Sequence, residues 1–212
     1  MVIAIDGPAG AGKSSVARGV AAALGFTYLD SGAMYRSVAL AAMRSGTDPE
    51  DPEAMGELAR SLRIETSNGK VKLDGADVSE AIRTSEVTKV SSHIAVHPEV
   101  RAAMVERQKT LLEGGRYVAE GRDVGTVVSP DAALKIFLTA SDDERAKRRA
   151  TQTGEVRGTV LDSQQRRDAR DREREHGPLR PAADSVEIDT TGIDLDEVVR
   201  RVVELARDRG LS

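Results

Sequence analysis

The chain of 212 residues has no cysteine and no tryptophan, and phenylalanine and tyrosine together make up only 2% of it. Without cysteine there can be no disulfide and no thiolate metal site, a composition compatible with a reducing compartment. With so few aromatic rings, a core has to be packed from aliphatic side chains, mainly Ala, Val and Leu. There are three histidines, His93, His97 and His176. They show no spacing suited to a metal site or a nucleophilic triad, and they read as surface or packing residues. No apolar run approaches the roughly eighteen residues of a membrane span, and the N-terminus lacks a basic-then-apolar leader, so the expectation is a soluble cytoplasmic protein with no membrane partner. An Asn-Lys-x-Asp guanine-reading motif is also missing, which argues against a GTPase.

Charge is unevenly distributed. The net charge is −4, yet residues 145 to 180 carry 11 Lys and Arg against 6 Asp and Glu, so that the segment is +5 and the remainder −9. A basic run is usually a solvated helix face. Here Arg167, Arg170, Asp171 and Arg174 fall within a helical arc about 100° wide, which weakens that reading.

What the sequence does contain is Gly7-Pro8-Ala9-Gly10-Ala11-Gly12-Lys13-Ser14, a complete G-x-x-x-x-G-K-[ST] pattern. Val2 to Ile5 precede it as a short buried strand. Val16, Ala17, Val20, Ala21 and Leu24 follow at helical spacing up to Gly25. Strand, glycine-rich turn and helix is the context this motif needs. Glycines let successive backbone N–H groups converge on an anion, and the helix N-terminus adds unpaired donors and the positive end of its dipole. Gly7 through Ser15 are therefore the expected cradle for ATP. Lys13 would reach the β- and γ-phosphates, and the Ser14 hydroxyl would bind Mg²⁺.

Further along, Phe26 to Leu29 reads as a second strand, running into Asp30-Ser31-Gly32 and a helix over Ala33 to Ser45. Alternating strands and helices imply a parallel sheet, whose ligands gather at the carboxyl ends of the strands. Residues 47–97 break the rhythm: a short helix opens at Asp51-Pro52-Glu53, an Asn68-Gly69 pair sits between alternating strands as a type I′ hairpin signal, Asp74-Gly75 makes another turn, and Glu86 to Val96 is helical. His97-Pro98-Glu99 starts a long helix, with Pro98 at its first position, that runs to Gly114-Gly115. Strands follow at Tyr117 to Ala119 and Leu134 to Leu138. Ser141-Asp142-Asp143-Glu144 is a capping box for a helix carrying Arg145, Arg148 and Arg149. Residues 150–163 are polar and read as a loop able to open and close. Val186 to Ile188 is a last strand, and Asp194-Leu195-Asp196-Glu197 caps a final amphipathic helix.

Four blocks closely resemble bacterial cytidylate kinases: Ile5-Asp6-Gly7-Pro8 through Lys13, Leu29-Asp30-Ser31-Gly32-Ala33-Met34-Tyr35-Arg36, Glu120-Gly121-Arg122-Asp123 through Val128, and Arg167-Asp168-Ala169-Arg170-Asp171-Arg172. The resemblance spans nearly the whole chain. It implies an α/β P-loop NTPase fold, with a five-stranded parallel sheet flanked by helices, an antiparallel insertion that binds the nucleoside monophosphate, and a short lid. The chain would be one kinase unit over residues 1–212, with a core of 1–46, 98–149 and 164–212, the insertion at 47–97 and the lid at 150–163. The implied reaction moves the γ-phosphate of ATP to CMP or dCMP, giving ADP and CDP or dCDP.

By the same resemblance, Ser31, Arg36, Arg122 and Arg174 hold the acceptor phosphate, Arg167 and Asp171 hold the sugar, and Ser92, Arg101 and Asp123 read the base. Lys13, Arg122 and Arg174 are the implied catalytic cations. Arg145 and Arg149 resemble the arginines that related kinases lay over adenine and the transferring phosphate, with Arg148 and Arg157 as alternatives. Glu120 and Asp6 are candidates for ordering Mg²⁺ through water, or strand-end acids with an electrostatic role alone.

The chemistry is self-consistent. ATP, a monophosphate and Mg²⁺ together leave roughly four negative charges to be neutralised during transfer, which a lysine and several arginines supply. An acceptor phosphate that is already ionised needs no general base. Cytosine offers an amino donor beside two acceptors, complementing a carboxylate and a guanidinium.

The sequence is also compatible with two other functions. One is a P-loop kinase for adenylate, uridylate or a hydroxyl acceptor such as shikimate. Another is an ATP-switched nucleic-acid-binding protein, disfavoured by the lack of stacking aromatics and the acidic remainder. The expected partners are therefore CMP and dCMP without nucleic acid, and no large apolar surface calls for more than a monomer.

Overall fold

A computed structural model of the chain describes residues 1–67, 69–154 and 156–211. They form two compact units: one made of residues 1–27 and 114 onward, the other of residues 28–113.

The first unit carries most of a five-stranded parallel sheet of order β2-β6-β1-β7-β8, with β1 at its centre. All five residues of β1 (Val2–Asp6) are buried, which is why they read as an unbroken apolar run rather than an alternating one. β1 pairs in parallel with β6 (Tyr117–Gly121) and β7 (Leu134–Thr139), and β7 pairs with β8 (Val186–Asp189). β2 spans Thr27–Asp30. Helix α1 (Lys13–Leu24) presents Val16, Ala17, Val20 and Ala21 inward and packs against α8 (Leu195–Asp208), whose Val198, Val202 and Ala206 are buried. Ile3, Ile5, Leu134, Ile136 and Leu138 are almost fully enclosed, giving the aliphatic core that the composition demands.

Local capping follows the sequence. Ser141 accepts the Glu144 backbone N–H at 3.3 Å to start α6 (Asp142–Thr153), and Asp194 accepts from Asp196 at 2.9 Å to start α8. Residues 150–163 depart from the expected loop. α6 continues to Thr153, and α7 (Arg157–Glu173) takes up the segment from Arg157. The polar run conceals a helical stripe, Val160, Gln164 and Asp168 at i, i+4 and i+8, all buried. A five-residue π-helix over Val124–Val128, which no periodicity signals, follows β6.

The second unit contains α2 (Ser31–Ser45), α3 (Pro52–Ser61), α4 (Ser85–Ile94) and α5 (Pro98–Leu112), together with a three-stranded sheet of β3 (Ile64–Ser67), β4 (Lys70–Leu73) and β5 (Ala76–Asp77). Within it α2 packs on α4 and α3 packs on α5. β3 and β4 pair antiparallel from Ile64 opposite Leu73 to Ser67 opposite Lys70. Of the expected Asn68-Gly69 turn, Asn68 lies outside the described residues, and Gly69 has φ 85°. Asp74 and Gly75 both adopt left-handed φ, 51° and 86°, and return the chain into β5.

Candidate functional site

The phosphate loop of the first unit is built by backbone constraints. Gly7 has φ 149°, and a Cβ there would stand 2.1 Å from the Leu138 carbonyl oxygen on β7. Gly10 has φ 77°, and its Cβ would meet Gln164 Nε2 of α7 at 2.7 Å. Only glycine lets the loop lie this close to its surroundings. Gly12 caps α1 in the left-handed conformation without a side-chain hydrogen bond, so the first N–H groups of the helix are open to an anion.

Lys13 folds back and donates to the Pro8 carbonyl at 2.8 Å. Burial, and next the positive charge of Arg122, push its ammonium down from 10.5 to about 7, while Glu120 pulls the other way. Its charged form is disfavoured where it stands. Ser14 is half-buried and Ser15 exposed at the start of α1.

Outside partners hold the loop at three points. Arg122 Nη1 donates to the Gly7 carbonyl at 2.6 Å. The Ala9 peptide is gripped from both sides: its N–H donates to Asp168 Oδ1 at 3.2 Å and its carbonyl accepts from Arg145 Nη1 at 2.8 Å, while Arg145 also donates to Asp168 and to Asp142. Thr190 Oγ1, after β8, lies 3.3 Å from the Ala11 carbonyl oxygen and accepts from Arg148 Nη1 at 2.9 Å. Arg148 is also fixed by Glu144 and by the Thr190 carbonyl, which puts Nη1 3.7 Å from where a Gly12 Cβ would be.

Arg145 and Arg149, one helical turn apart, therefore differ. Arg145 is buried under the loop, whereas Arg149 is half-buried. The arginine whose guanidinium overlies the cradle at Gly12 is Arg148.

Beside the loop, a chain of alternating charges joins the β6 turn to α7. Arg122 Nε lies 3.0 Å from Asp171 Oδ2; Arg174 lies 3.8 Å from Asp171 Oδ1 and 3.5 Å from Asp123 Oδ1. Arg167 is half-buried on the same helix, while Arg170, expected on this face, is exposed and turns back to the Arg166 carbonyl. Asp6, the last residue of β1, supports the turn: its two carboxylate oxygens accept from Val124 at 2.9 Å and Gly125 at 2.7 Å. Burial pushes Asp6 up from 3.8 to about 6, against the lowering pull of those two bonds.

The second unit holds the other expected residues. Asp30 caps α2 by accepting from Ala33 at 2.8 Å and pairs with Arg36 Nη2 at 2.8 Å. Ser31 is buried next to it. Ser92 on α4 and Arg101 on α5 are buried polar residues, and no hydrogen-bond partner meets the Ser92 hydroxyl among the described residues. His93 contacts Glu50 at 2.7 Å and His97 contacts the Pro49 carbonyl at 2.8 Å, with their rings edge-on at 5.8 Å. Both imidazoles are engaged in joining α4 and α5 to the loop before α3.

The donor set fits Mg²⁺ of the kind bound jointly with phosphate. Among the described residues there is no group of three or more His, Cys, Asp or Glu that could hold a metal, and both Asp6 oxygens already take backbone N–H groups. The Ser14 hydroxyl, on the first turn of an uncapped helix, is the kind of single protein oxygen that suits an ion held mainly by phosphates and water.

Asp168 and Gln164 are the loop-gripping residues that the motifs did not assign. The signal that could have found them is the i, i+4 polar pair recurring on the buried stripe of α7.

Comparison with known proteins extends the geometry. A family model described as cytidylate kinase matches residues 3–208. A cytidylate kinase of Solibacter usitatus is 46% identical over 99% of this chain and 93% of its own. One of Pelotomaculum thermopropionicum is 49% identical over 95% of this chain and 93% of its own. Among solved structures, a gluconokinase from Sinorhizobium meliloti is similar in fold, with a TM-score of 0.50 at 19% identity over 99% of this chain and 93% of that one.

Proposed function

The chain belongs to the cytidylate kinase family, and from that premise we infer how its residues divide the work of moving the γ-phosphate of ATP to CMP or dCMP, giving ADP and CDP or dCDP. The Gly7–Ser15 loop and the N-terminus of α1 hold the ATP phosphates. Lys13 leaves the Pro8 carbonyl for the β- and γ-phosphates, where its charge is restored. Ser14 holds Mg²⁺, which when bound screens the phosphate charge. Arg148 and Arg149 face the donor nucleotide, and Arg145 keeps the loop in shape.

On the acceptor, Arg122 and Arg174 meet the phosphate, together with Ser31 and Arg36 of the second unit. Arg167 and Asp171 hold the sugar. Asp123 accepts the cytosine amino group, and Ser92 and Arg101 complete the reading of the base. An ionised phosphate oxygen attacks the γ-phosphorus as the bond to the β-phosphate oxygen breaks. No proton has to move, so the residues act by placing positive charge where negative charge accumulates. The enzyme acts in the cytoplasm, in pyrimidine nucleotide metabolism, as a monomer.

The observation that carries this reading is the chain of ion pairs Arg122–Asp171–Arg174–Asp123 beside the phosphate loop. Two guanidinium groups are kept oriented by carboxylates until an acceptor phosphate replaces part of that pairing. A hydroxyl acceptor would need a carboxylate base instead of two cations. ADP release measured with MgATP against CMP, dCMP, UMP, AMP and shikimate tests it. Turnover should be fastest with the two cytidylates, and faster turnover of AMP or shikimate than of CMP would overturn the reading.

A further inference from the structure

We propose that Asp168 is a positioning residue that couples the donor and acceptor sites of the first unit by fastening α7 to the phosphate loop. The inference rests on the reading above, in which Arg167, Asp171 and Arg174 bind the acceptor.

Asp168 is 1% exposed and Arg145 is 2% exposed, so neither is placed to meet a nucleotide directly. Together they close a circuit around one peptide group of the loop: the Ala9 N–H goes to Asp168, the Ala9 carbonyl accepts from Arg145, and Arg145 pairs with Asp168. A buried ion pair is a poor stabiliser compared with well-packed apolar residues, but it fixes orientation, and here it fixes the plane of a loop peptide. Gln164, one turn earlier on α7, donates to the Arg145 carbonyl at 3.3 Å and stands against Gly10.

Asp168 also lies within the run of acceptor residues. Arg167 is its neighbour in sequence, and Asp171 is three residues later, about 4.5 Å along the helix axis. Asp171 contacts Arg122, which donates to the Gly7 carbonyl. The stretch of helix that would answer to the acceptor is thus tied to the loop at Ala9 directly and at Gly7 through Arg122. An acceptor that orders this stretch also orders the loop, and ATP phosphates that order the loop hold the helix in place. Such linkage is reciprocal: each nucleotide should tighten the other by the same factor.

The test compares affinities for the non-hydrolysable β,γ-imido analogue of ATP, with and without saturating CMP, in the intact protein. In the wild type, CMP should tighten the analogue by about fivefold or more. Asp168→Asn keeps one oxygen to accept from Ala9 but turns an amide toward Arg145. It should bring the factor close to one while changing the affinity for CMP alone by less than about twofold, and Asp168→Glu should restore part of it. If Asp168→Asn does not fold, Arg145→Lys breaks the same circuit and should lower the factor in the same way. A wild-type factor of one, or a folded variant that keeps the full factor, overturns the proposal. Arg167→Ala separates this from the underlying reading. It should weaken CMP binding alone; if it does not, the acceptor assignment of α7 fails and the coupling with it. If it does, and Asp168→Asn still couples fully, the coupling alone fails.

Discussion

Asp6 and Gly125, 119 residues apart in the chain, are joined by a 2.7 Å hydrogen bond from the backbone N–H to a carboxylate that also takes the Val124 N–H. The residue that ends β1 and opens the phosphate loop thereby shapes the turn that carries Arg122 and Asp123. The Asp6→Asn variant keeps the size and loses one of two acceptors, at a cost of about 1–2 kcal/mol. Steady-state kinetics should show kcat/KM for CMP down by roughly tenfold. An unchanged value would mean that the turn does not need its brace.

The same carboxyl gives a pH signature. Because burial raises Asp6 from 3.8 to about 6, its ionised form is disfavoured by folding. Its contribution to stability is therefore complete below pH 3.8 and is lost as pH rises through 6. Relative to Asp6→Asn, the wild type should gain about 2 kcal/mol between pH 7 and pH 4 in urea unfolding. A constant difference between the two proteins across that range would show that the burial cost is absent.

Lys13 carries the opposite sign. Its ammonium is depressed from 10.5 to about 7, so the cost to folding is full below pH 7 and is relieved as pH rises toward 10.5. ATP phosphates reverse the depression. At pH 8, binding of MgATP should take up a proton, measured by calorimetry in two buffers of different ionisation enthalpy. Lys13→Met should abolish the uptake, lower kcat by about 10²–10³-fold, and melt no lower than the wild type at pH 7. Proton uptake that survives in the variant would assign it to another group.

Arg145 and Arg148 should separate cleanly. Truncating Arg145 to Ala leaves Asp168 buried without its partner and should destabilise the fold by about 3–5 kcal/mol. Arg148→Ala, at a half-buried position, should raise the KM for ATP with a much smaller change in thermal midpoint. The reverse pattern would return the donor role to Arg145.

These two arginines mark where the sequence stops being legible. Caps, turns and the phosphate loop are local, so Ser141, Asp51, Asp194 and Gly7–Ser14 could be placed from residue type and spacing alone. Arg145, Arg148 and Arg149 share one short stretch of α6. Which guanidinium goes beneath the loop depends on Asp168 and Thr190, 23 and 42 residues away. Composition misled for residues 150–163, where a polar surface hides the buried position Val160, followed one turn later by Gln164. The π-helix at Val124–Val128 has no sequence period of its own, and it takes shape through two hydrogen bonds that its N–H groups donate to Asp6, on a strand more than a hundred residues earlier.

Asp123 lies 3.5 Å from Arg174, and in the proposed reading its carboxylate accepts the cytosine amino group. Uracil would present a carbonyl oxygen to that carboxylate, at a cost of about 1–3 kcal/mol. Asp123→Ala should therefore narrow the preference for CMP over UMP, measured as a ratio of kcat/KM values. An unchanged ratio would remove Asp123 from base reading.

The central claim is that fixed cations let two anionic nucleotides be held phosphate to phosphate. Its most direct test is the affinity of a single molecule that links cytidine and adenosine through five phosphates. The account predicts binding on the order of 100-fold tighter than ATP alone, most of it lost in Arg122→Ala. An affinity no better than that of ATP, or one indifferent to Arg122, would contradict it.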